Sequence, residues 1–313
     1  MANAFADSSV RFSPFDVAEP GAWRSLLAVE APEVIIHLAA ETGTGQSLRQ
    51  GSRHASVNVV GTTRMTDALF EIGHVPEHVL LTSSRAVYGE GMYSNAHGAM
   101  FYPKPRSRAQ LENAVWDPLD PNGNAGIPQA NNAELVEPRP TNIYAATKLA
   151  QEHILRAWRD ATGSKLSVLR LQNVYGSGQS VTNSYTGVLT FFARVALAKN
   201  SINIFEDGAI NRDFVSVLDV AQALVRAIEN PPIADRVVDI GSGSAMTLFD
   251  AANALAANAG APAPHISGDF RDGDVRSAWA DITAATRDFG YQPTVTFDEG
   301  SDHLLTWVSK GMS

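Results

Sequence analysis

Residues 138–163 read PRPTNIYAATKLAQEHILRAWRDATG, and the rest of the chain can be ordered around them. Leu149, Ala150, Ile154, Ala157, Trp158 and Ala161 recur at three- and four-residue steps, the spacing of an amphipathic helix. Pro138 and Pro140 precede it, Thr141 or Asn142 can cap its start, and Gly163 can stop it. Tyr144 and Lys148 stand one turn apart near the start, so both side chains project from the same face. A phenol is protonated at neutral pH, its reference pKa being about 10. An ammonium held beside it favours the phenolate and makes the tyrosine a usable general base. Taken alone, a YxxxK pair reads more simply as a surface tyrosine and a solvated lysine.

Outward from that helix, strands and helices alternate. Val79-Leu80-Leu81 is strand-like and runs into the hydroxyl residues Thr82-Ser83-Ser84, then Val87-Tyr88-Gly89. Val34-Ile35-Ile36-His37-Leu38-Ala39-Ala40 is a continuous apolar run, as expected of a parallel strand covered on both faces. His37 inside it reads as a packed core histidine rather than a ligand. Residues 41–47 form a loop at the strand's C-terminal end, where doubly wound sheets bind ligands. Further strands are expected at 9–12, 166–171, 202–205 and 237–240. Helices are expected at 20–27, 53–72, 186–199, 217–228, 248–257 and 282–289, the last being the final well-marked one. This alternation predicts an α/β fold with a parallel sheet. Residues 90–136 are rich in Pro, Asn, Gly and Arg and carry little periodicity. They read as an ordered excursion over an active-site mouth, with Phe101, Tyr102 and Trp116 favouring that over a disordered insert.

Composition narrows the function classes. The chain has 313 residues, 44% hydrophobic and 18% charged, enough for a sizeable core. Its net charge is −9 with a pI near 5.3, and no basic run occurs, which argues against nucleic acid or an anionic membrane as partner. Cysteine is absent, so there are no disulfides or thiolate metal sites, in keeping with a reducing cytoplasm. No metal site is expected. No apolar run approaches membrane-spanning length, and the first residues lack the basic and apolar regions of a signal peptide.

The series Val34–Ala40 run, Thr82-Ser83-Ser84, Tyr144-x-x-x-Lys148 and Leu169-Arg170-Leu171-Gln172-Asn173-Val174-Tyr175-Gly176, in this order, resembles the extended short-chain dehydrogenase/reductase family. The resemblance is to its nucleotide-sugar epimerases and runs from about Phe12 to the C-terminus. It implies a Rossmann-type parallel sheet formed by residues 1–171 and 213–243, with 90–136 as insert. A smaller interleaved substrate domain would comprise 172–212 and 244–313.

It also implies site residues. Tyr144 would be the base, Lys148 would hold the nicotinamide ribose of NAD and lower the tyrosine pKa, and Ser84 would hydrogen-bond the reacting hydroxyl. Ala39, Ala40, Asn58 and Thr82 match cofactor-lining positions, while Asn173, Arg212 and Arg271 match substrate-diphosphate contacts. Arginine suits that work because its planar fork binds phosphate oxygens in pairs. On spacing alone, Arg212 and Arg271 read as surface salt bridges with Asp213 and Asp272.

The family's 4,6-dehydratases carry an Asp–Glu pair after this serine. Here Arg85 and Ala86 stand there, which favours epimerisation. SSRAVYGEG and QNVYGSGQSVTNSYTGVL resemble 4-epimerases of dTDP-6-deoxyhexoses such as dTDP-rhamnose. The implied reaction is NAD-dependent epimerisation at C4 of a dTDP- or UDP-linked hexose through a 4-keto sugar, by a homodimer. A reductase or dehydrogenase on the same scaffold, or a non-catalytic sugar-nucleotide binder, are the alternatives.

One feature of the pattern is missing. No G-x-G-x-x-G joins a strand to a helix: Gly43-x-Gly45, Gly176-x-Gly178 and Gly241-x-Gly243 lack the third glycine. Residues 9–17 resemble the third strand of the family's sheet. The family's glycine-rich strand–helix is therefore expected upstream of the first residue.

Overall fold

The computed structural model describes residues 10–181 and 187–312. Its centre is a four-stranded parallel sheet in the order Val34–His37, His78–Ser84, Lys165–Leu171, Asp235–Ile240. Neighbouring strands end in step: Ser84 pairs with Leu171, and Leu171 with Ile240. All strand C-termini therefore open on one rim, the binding edge of such sheets.

Both faces are covered. Val79, Leu81, Leu166 and Val168 pack on one side against Trp23, Met65, Leu69 and Leu155 from the helices Ala22–Leu27, Gly61–Glu71 and Ile143–Thr162. Leu80, Leu169, Val238 and Ile240 face the other way, onto Val220 and Ala223 of Val217–Glu229 and Phe289 of Thr283–Phe289. The side chains alternate between layers, which is why these strands read as unbroken apolar runs.

The edge strand Val34–His37 has one partner among the described residues, and Ile36 there is 40% exposed. The expected strand at 9–12 is not found: residues 10–16 carry no regular structure, and Ser9 lies outside the described residues. Among the described residues no strand pairs with them, so their backbone groups have no ladder to join. Of the helix expected at 186–199, Val188–Leu197 is present and Thr186 lies outside the described residues. The helix expected at 53–72 runs from Gly51 to Glu71 with a π-helical stretch, Ala55–Val60, in its middle.

A second core gathers Tyr175, Leu189, Phe192, Ile202, Ile204, Phe214, Leu255, Leu304 and Val308. It includes Phe297–Met312, a helix the sequence pattern did not announce. The 90–136 segment is ordered. Tyr93–Ser94 pairs antiparallel with both Met100–Phe101 and Ile127–Pro128, and Arg108–Glu112 is a short helix. Among the described residues no helix is long and apolar enough to cross a membrane, and no His, Asp and Glu cluster could hold a metal ion.

Candidate active site

The rim of the sheet brings the serine and the tyrosine together. Asn142 caps the Ile143–Thr162 helix, its side chain accepting from Ala145 N at 2.9 Å, and Gly163 ends it in the left-handed region at φ 79°. Tyr144 is thus fixed in the first turn. Ser84 ends its strand and caps the 3-10 turn Arg85–Tyr88, its Oγ accepting from Ala86 N at 3.2 Å. Gly89 closes that turn at φ 62°, where a Cβ would lie 2.3 Å from the Arg139 carbonyl. Only glycine allows the turn to press this closely on the segment leading into the Tyr144 helix.

Burial pushes the Tyr144 phenol above its ordinary pKa, while a hydrogen bond from Ser84 and the charge of Arg85 act in the opposite direction. Its ring meets that of His54 edge to face, centroids 6.3 Å apart. Lys148 is 2% exposed and makes no salt bridge among the described residues. Burial holds its ammonium down at about 8, against the pull of Glu152 one turn on. The sequence placed Lys148 as the cation lowering the tyrosine pKa. The charge of Arg85 favours the phenolate, and that of Lys148 bears on His37 and is answered by Glu152.

Beneath these residues lie two polar networks. Glu152 accepts from Arg170 Nε and Nη2, at 3.1 and 2.7 Å, and from Ser83. Arg170 lies over the Tyr88 ring, whose hydroxyl donates to Asp239 at 2.8 Å. His37 contacts Thr62 Oγ1 at 2.9 Å and Gln151 at 3.2 Å, so it is a hydrogen-bonded core histidine. Asn58, in the π-helical stretch, accepts from Glu41 N and donates to Glu41 O and Thr147 Oγ1. Its side chain anchors the loop after Ala39 and Ala40, both partly buried at the end of the first strand. Thr82 is buried, its hydroxyl 3.4 Å from the His37 carbonyl.

A cavity of about 540 Å³ adjoins this rim, lined in part by Arg85, Asn173, Phe205, Arg212, Arg271 and Asp274. That volume suits a small-molecule ligand. Asn173 Oδ1 is buried with no hydrogen-bond partner, an acceptor that calls for a donor from a ligand. Arg212 pairs with Asp274 at 2.9 Å, not with Asp213, whose carboxylate takes the backbone N–H groups of Ser242, Gly243 and Ala280. Arg271 stacks over Phe205 at 5.1 Å, and Asp272 pairs with Arg108 instead.

The structure therefore groups Ser84 with Tyr144, and Asn173 with Arg212 and Arg271. It sets Asn58 apart as a loop anchor. Sequence reasoning valued Arg85 only for not being a carboxylate, and it passed over Asp274. The one available signal for Arg85 was its place directly after the serine.

Comparison with known proteins agrees with this architecture. Residues 2–241 match the model of the "NAD dependent epimerase/dehydratase family". A dTDP-L-rhamnose 4-epimerase of Burkholderia thailandensis is 54% identical over 295 residues, covering 94% of this chain and 80% of that protein. A UDP-glucose 4-epimerase of Mycolicibacterium smegmatis is 31% identical, covering 88% of this chain and 75% of that one. The solved UDP-glucose 4-epimerase of Thermotoga maritima, crystallised with UDP-glucose, superposes with a TM-score of 0.77 at 25% identity, covering 98% of this chain and 87% of its own. The chain belongs to the NAD dependent epimerase/dehydratase family.

Proposed function

We propose that this protein is an NAD-dependent epimerase acting at C4 of a nucleotide-diphosphate hexose, with dTDP-L-rhamnose as its first candidate substrate. The observation that carries the reading is the Ser84–Tyr144 pair on the rim beside a cationic cavity with an orphaned acceptor, Asn173. The 54% identical dTDP-L-rhamnose 4-epimerase supports the choice of sugar.

The residues present fit the nicotinamide half of NAD. Lys148 offers a buried ammonium without a salt bridge among the described residues, and Ala39 and Ala40, partly buried after the Val34–His37 strand, carry only methyl side chains. Bound there, NAD would supply reversible hydride acceptance at C4 of the sugar. Tyr144 takes the hydroxyl proton of the sugar and gives it back, while Ser84 orients that hydroxyl. Lys148 holds the ribose, with Thr82 and the Asn58-anchored loop beside it. Asn173, Arg212 and Arg271 hold the sugar-diphosphate. The electron balance over a cycle is zero, so NAD is needed only in catalytic amount. Elimination of water has no support here, since Arg85 and Ala86 supply neither acid nor base.

Residues 1–171 with 213–243 would hold the cofactor, and 172–212 with 244–313 the substrate. We assign a reducing, cytoplasmic setting from the absence of cysteine. A two-fold homodimer would bury the helices around Gly51–Glu71 and Ile143–Thr162, where Leu48, Phe70 and Ile143 stand 81%, 85% and 38% exposed. Light scattering of wild type and Phe70→Glu tests it, the variant being expected as monomer; a monomeric wild type at micromolar concentration overturns it.

The activity is tested by incubating the protein with dTDP-L-rhamnose and substoichiometric NAD and following the sugar by NMR. The C4 epimer is expected, with no net NADH. One NADH formed per sugar oxidised would make the protein a dehydrogenase.

A further inference from the structure

Gly241-Ser242-Gly243 fails as a cofactor fingerprint, yet the turn does hold an anion, and that anion is the chain's own. The turn follows directly on Asp235–Ile240, the last strand of the central sheet. Ser242 N donates to Asp213 Oδ1 at 2.6 Å and Gly243 N to Oδ2 at 3.1 Å, successive backbone donors that form a small anion nest. Ala280 N, from a third segment, donates to Oδ2 at 3.1 Å. Asp213 is wholly buried and forms no ion pair among the described residues, so hydrogen bonds rather than a cation answer its charge.

Asp213 stands between two residues that line the cavity. Arg212 precedes it, in register with Ala278 on one side and Met246 on the other, and is held by Asp274 at 2.9 Å. The Asp213 carbonyl accepts from Asn173 N at 3.0 Å, and Phe214 continues the pairing with Asn173, whose Oδ1 is the orphaned acceptor. The backbone of Asp213 thus joins both cavity residues, and its side chain ties them to the rim of the sheet.

Gly241 shows the same contact from the other side. A Cβ there would lie 2.2 Å from Asp213 Oδ2 and 2.9 Å from Ala280 Cβ. Its backbone is not in the left-handed region, so the approach of the carboxylate, not the backbone angle, requires glycine.

We propose that Asp213, seated in the Gly241–Gly243 turn, is a positioning residue for nucleotide-sugar binding that acts through Asn173 and Arg212. This rests on the assignment of those two residues to the sugar-diphosphate. A carboxylate suits the task because its two oxygens accept all three N–H groups. An amide has one acceptor and would turn a donor toward another donor.

The test measures dTDP affinity by calorimetry, and KM and kcat with dTDP-L-rhamnose. The variants are Asp213→Ala, Asp213→Asn, Gly241→Ala and the double Asp213→Ala/Gly241→Ala, with Arg212→Ala as reference. Thermal unfolding sets an assay temperature at which each is folded. Asp213→Ala should weaken dTDP about tenfold, short of the roughly hundredfold that an ångström of misplacement can bring. KM should rise by more than kcat falls, because Ser84 and Tyr144 are not among the contacts of this network. A purely structural aspartate would lower the unfolding temperature and leave KM alone. Asp213→Asn, with one acceptor kept, should fall between. Gly241→Ala displaces the carboxylate instead of deleting it and should reproduce the loss. The double variant should bind about as well as Asp213→Ala, since the added methyl then meets no carboxylate. Should Asp213→Ala not fold, Asp213→Asn and Gly241→Ala carry the same comparison. Wild-type affinity in the Asp213 and Gly241 variants beside a weakened Arg212→Ala, or losses that simply add in the double variant, overturns the positioning role and leaves the diphosphate assignment standing. Wild-type affinity in Arg212→Ala overturns that assignment, and the positioning role with it.

Discussion

Arg106 Nη1 lies 2.9 Å from Glu206 Oε2, both side chains almost wholly buried, and this ion pair fastens the 90–136 segment to the far side of the cavity. Glu206 also receives Arg276 at 3.0 Å, and Arg106 donates its other terminal nitrogen to the Asp274 carbonyl at 2.8 Å. Asp274 is the residue that holds Arg212. Trp116 and Arg108 from the same segment pack on Phe270, next to Arg271. The insert thereby bears on two of the three cavity arginines, Arg212 and Arg271.

Arg106→Ala should therefore weaken both stability and substrate binding. Removing one partner of a buried ion pair leaves the other charge uncompensated, but Arg276 still answers Glu206. The loss should fall near the low end of the usual range, about 3 kcal/mol by urea unfolding. KM for the nucleotide sugar should rise more than kcat falls, because the reacting pair Ser84–Tyr144 is untouched. An unchanged KM would mean the insert does not position Asp274.

Tyr144→Phe removes the ionisable oxygen and little else. Turnover should fall at least about 100-fold, the lower range for loss of a general base, with affinity for the nucleotide sugar kept within a few-fold. Steady-state rates and calorimetric binding measure the two separately. A variant of near-wild-type rate would place the base elsewhere.

What was legible in the sequence was local. The Tyr144 helix announced itself because its cap, Asn142, and its stop, Gly163, are carried in the same stretch as its apolar stripe. The central strands read as apolar runs because helices cover both faces of the sheet. The latch did not show: Arg106, Glu206 and Arg276 are far apart in sequence, and each alone looks like a solvated surface charge. Their pairing exists only once the two cores are folded. Asn58 was legible as a site-region residue, but the π-helical stretch that points it at Glu41 leaves no sequence signature that separates an anchor from a contact.

His37 gives a pH dependence with a definite sign. Burial, and then the charge of Lys148, lower its pKa from 6.5 to about 4. Above the ordinary value both folded and unfolded chains hold it neutral, and it has no effect on stability. Between that value and the folded one only the unfolded chain takes up the proton, so stability is lost as pH falls through this window. Asp239, raised to about 7 by burial, titrates with the opposite sense over an overlapping range. The clean readout is accordingly the difference between wild type and His37→Gln. Relative to the variant, wild type should lose up to roughly 3 kcal/mol between neutrality and pH 4, by urea unfolding at each pH. A difference independent of pH would show that His37 titrates normally in the folded state.

Gly300 explains both a missed helix and a tight contact. Glycine inside FDEGSDHLLTWVSKGM lowers helix propensity, by about 1 kcal/mol relative to alanine, which obscured the Phe297–Met312 helix. Yet a Cβ at Gly300 would lie 2.1 Å from the Tyr175 hydroxyl and 2.8 Å from its Cζ. Tyr175 is buried between Phe214 and Phe297, with ring centroids at 6.5 and 5.9 Å, and has little room to withdraw. Two effects compete in Gly300→Ala: the propensity gain, and an overpacking cost of about 1–3 kcal/mol. A clash this close with an enclosed ring should bring the cost to the upper part of that range, so the substitution should destabilise despite better helix propensity. Tyr175→Phe removes the nearest atom, so Gly300→Ala should be distinctly less harmful in that background. Four urea-unfolding curves close the cycle: strictly additive effects would mean that the helix moves away from Tyr175 and that the glycine is there for some other reason.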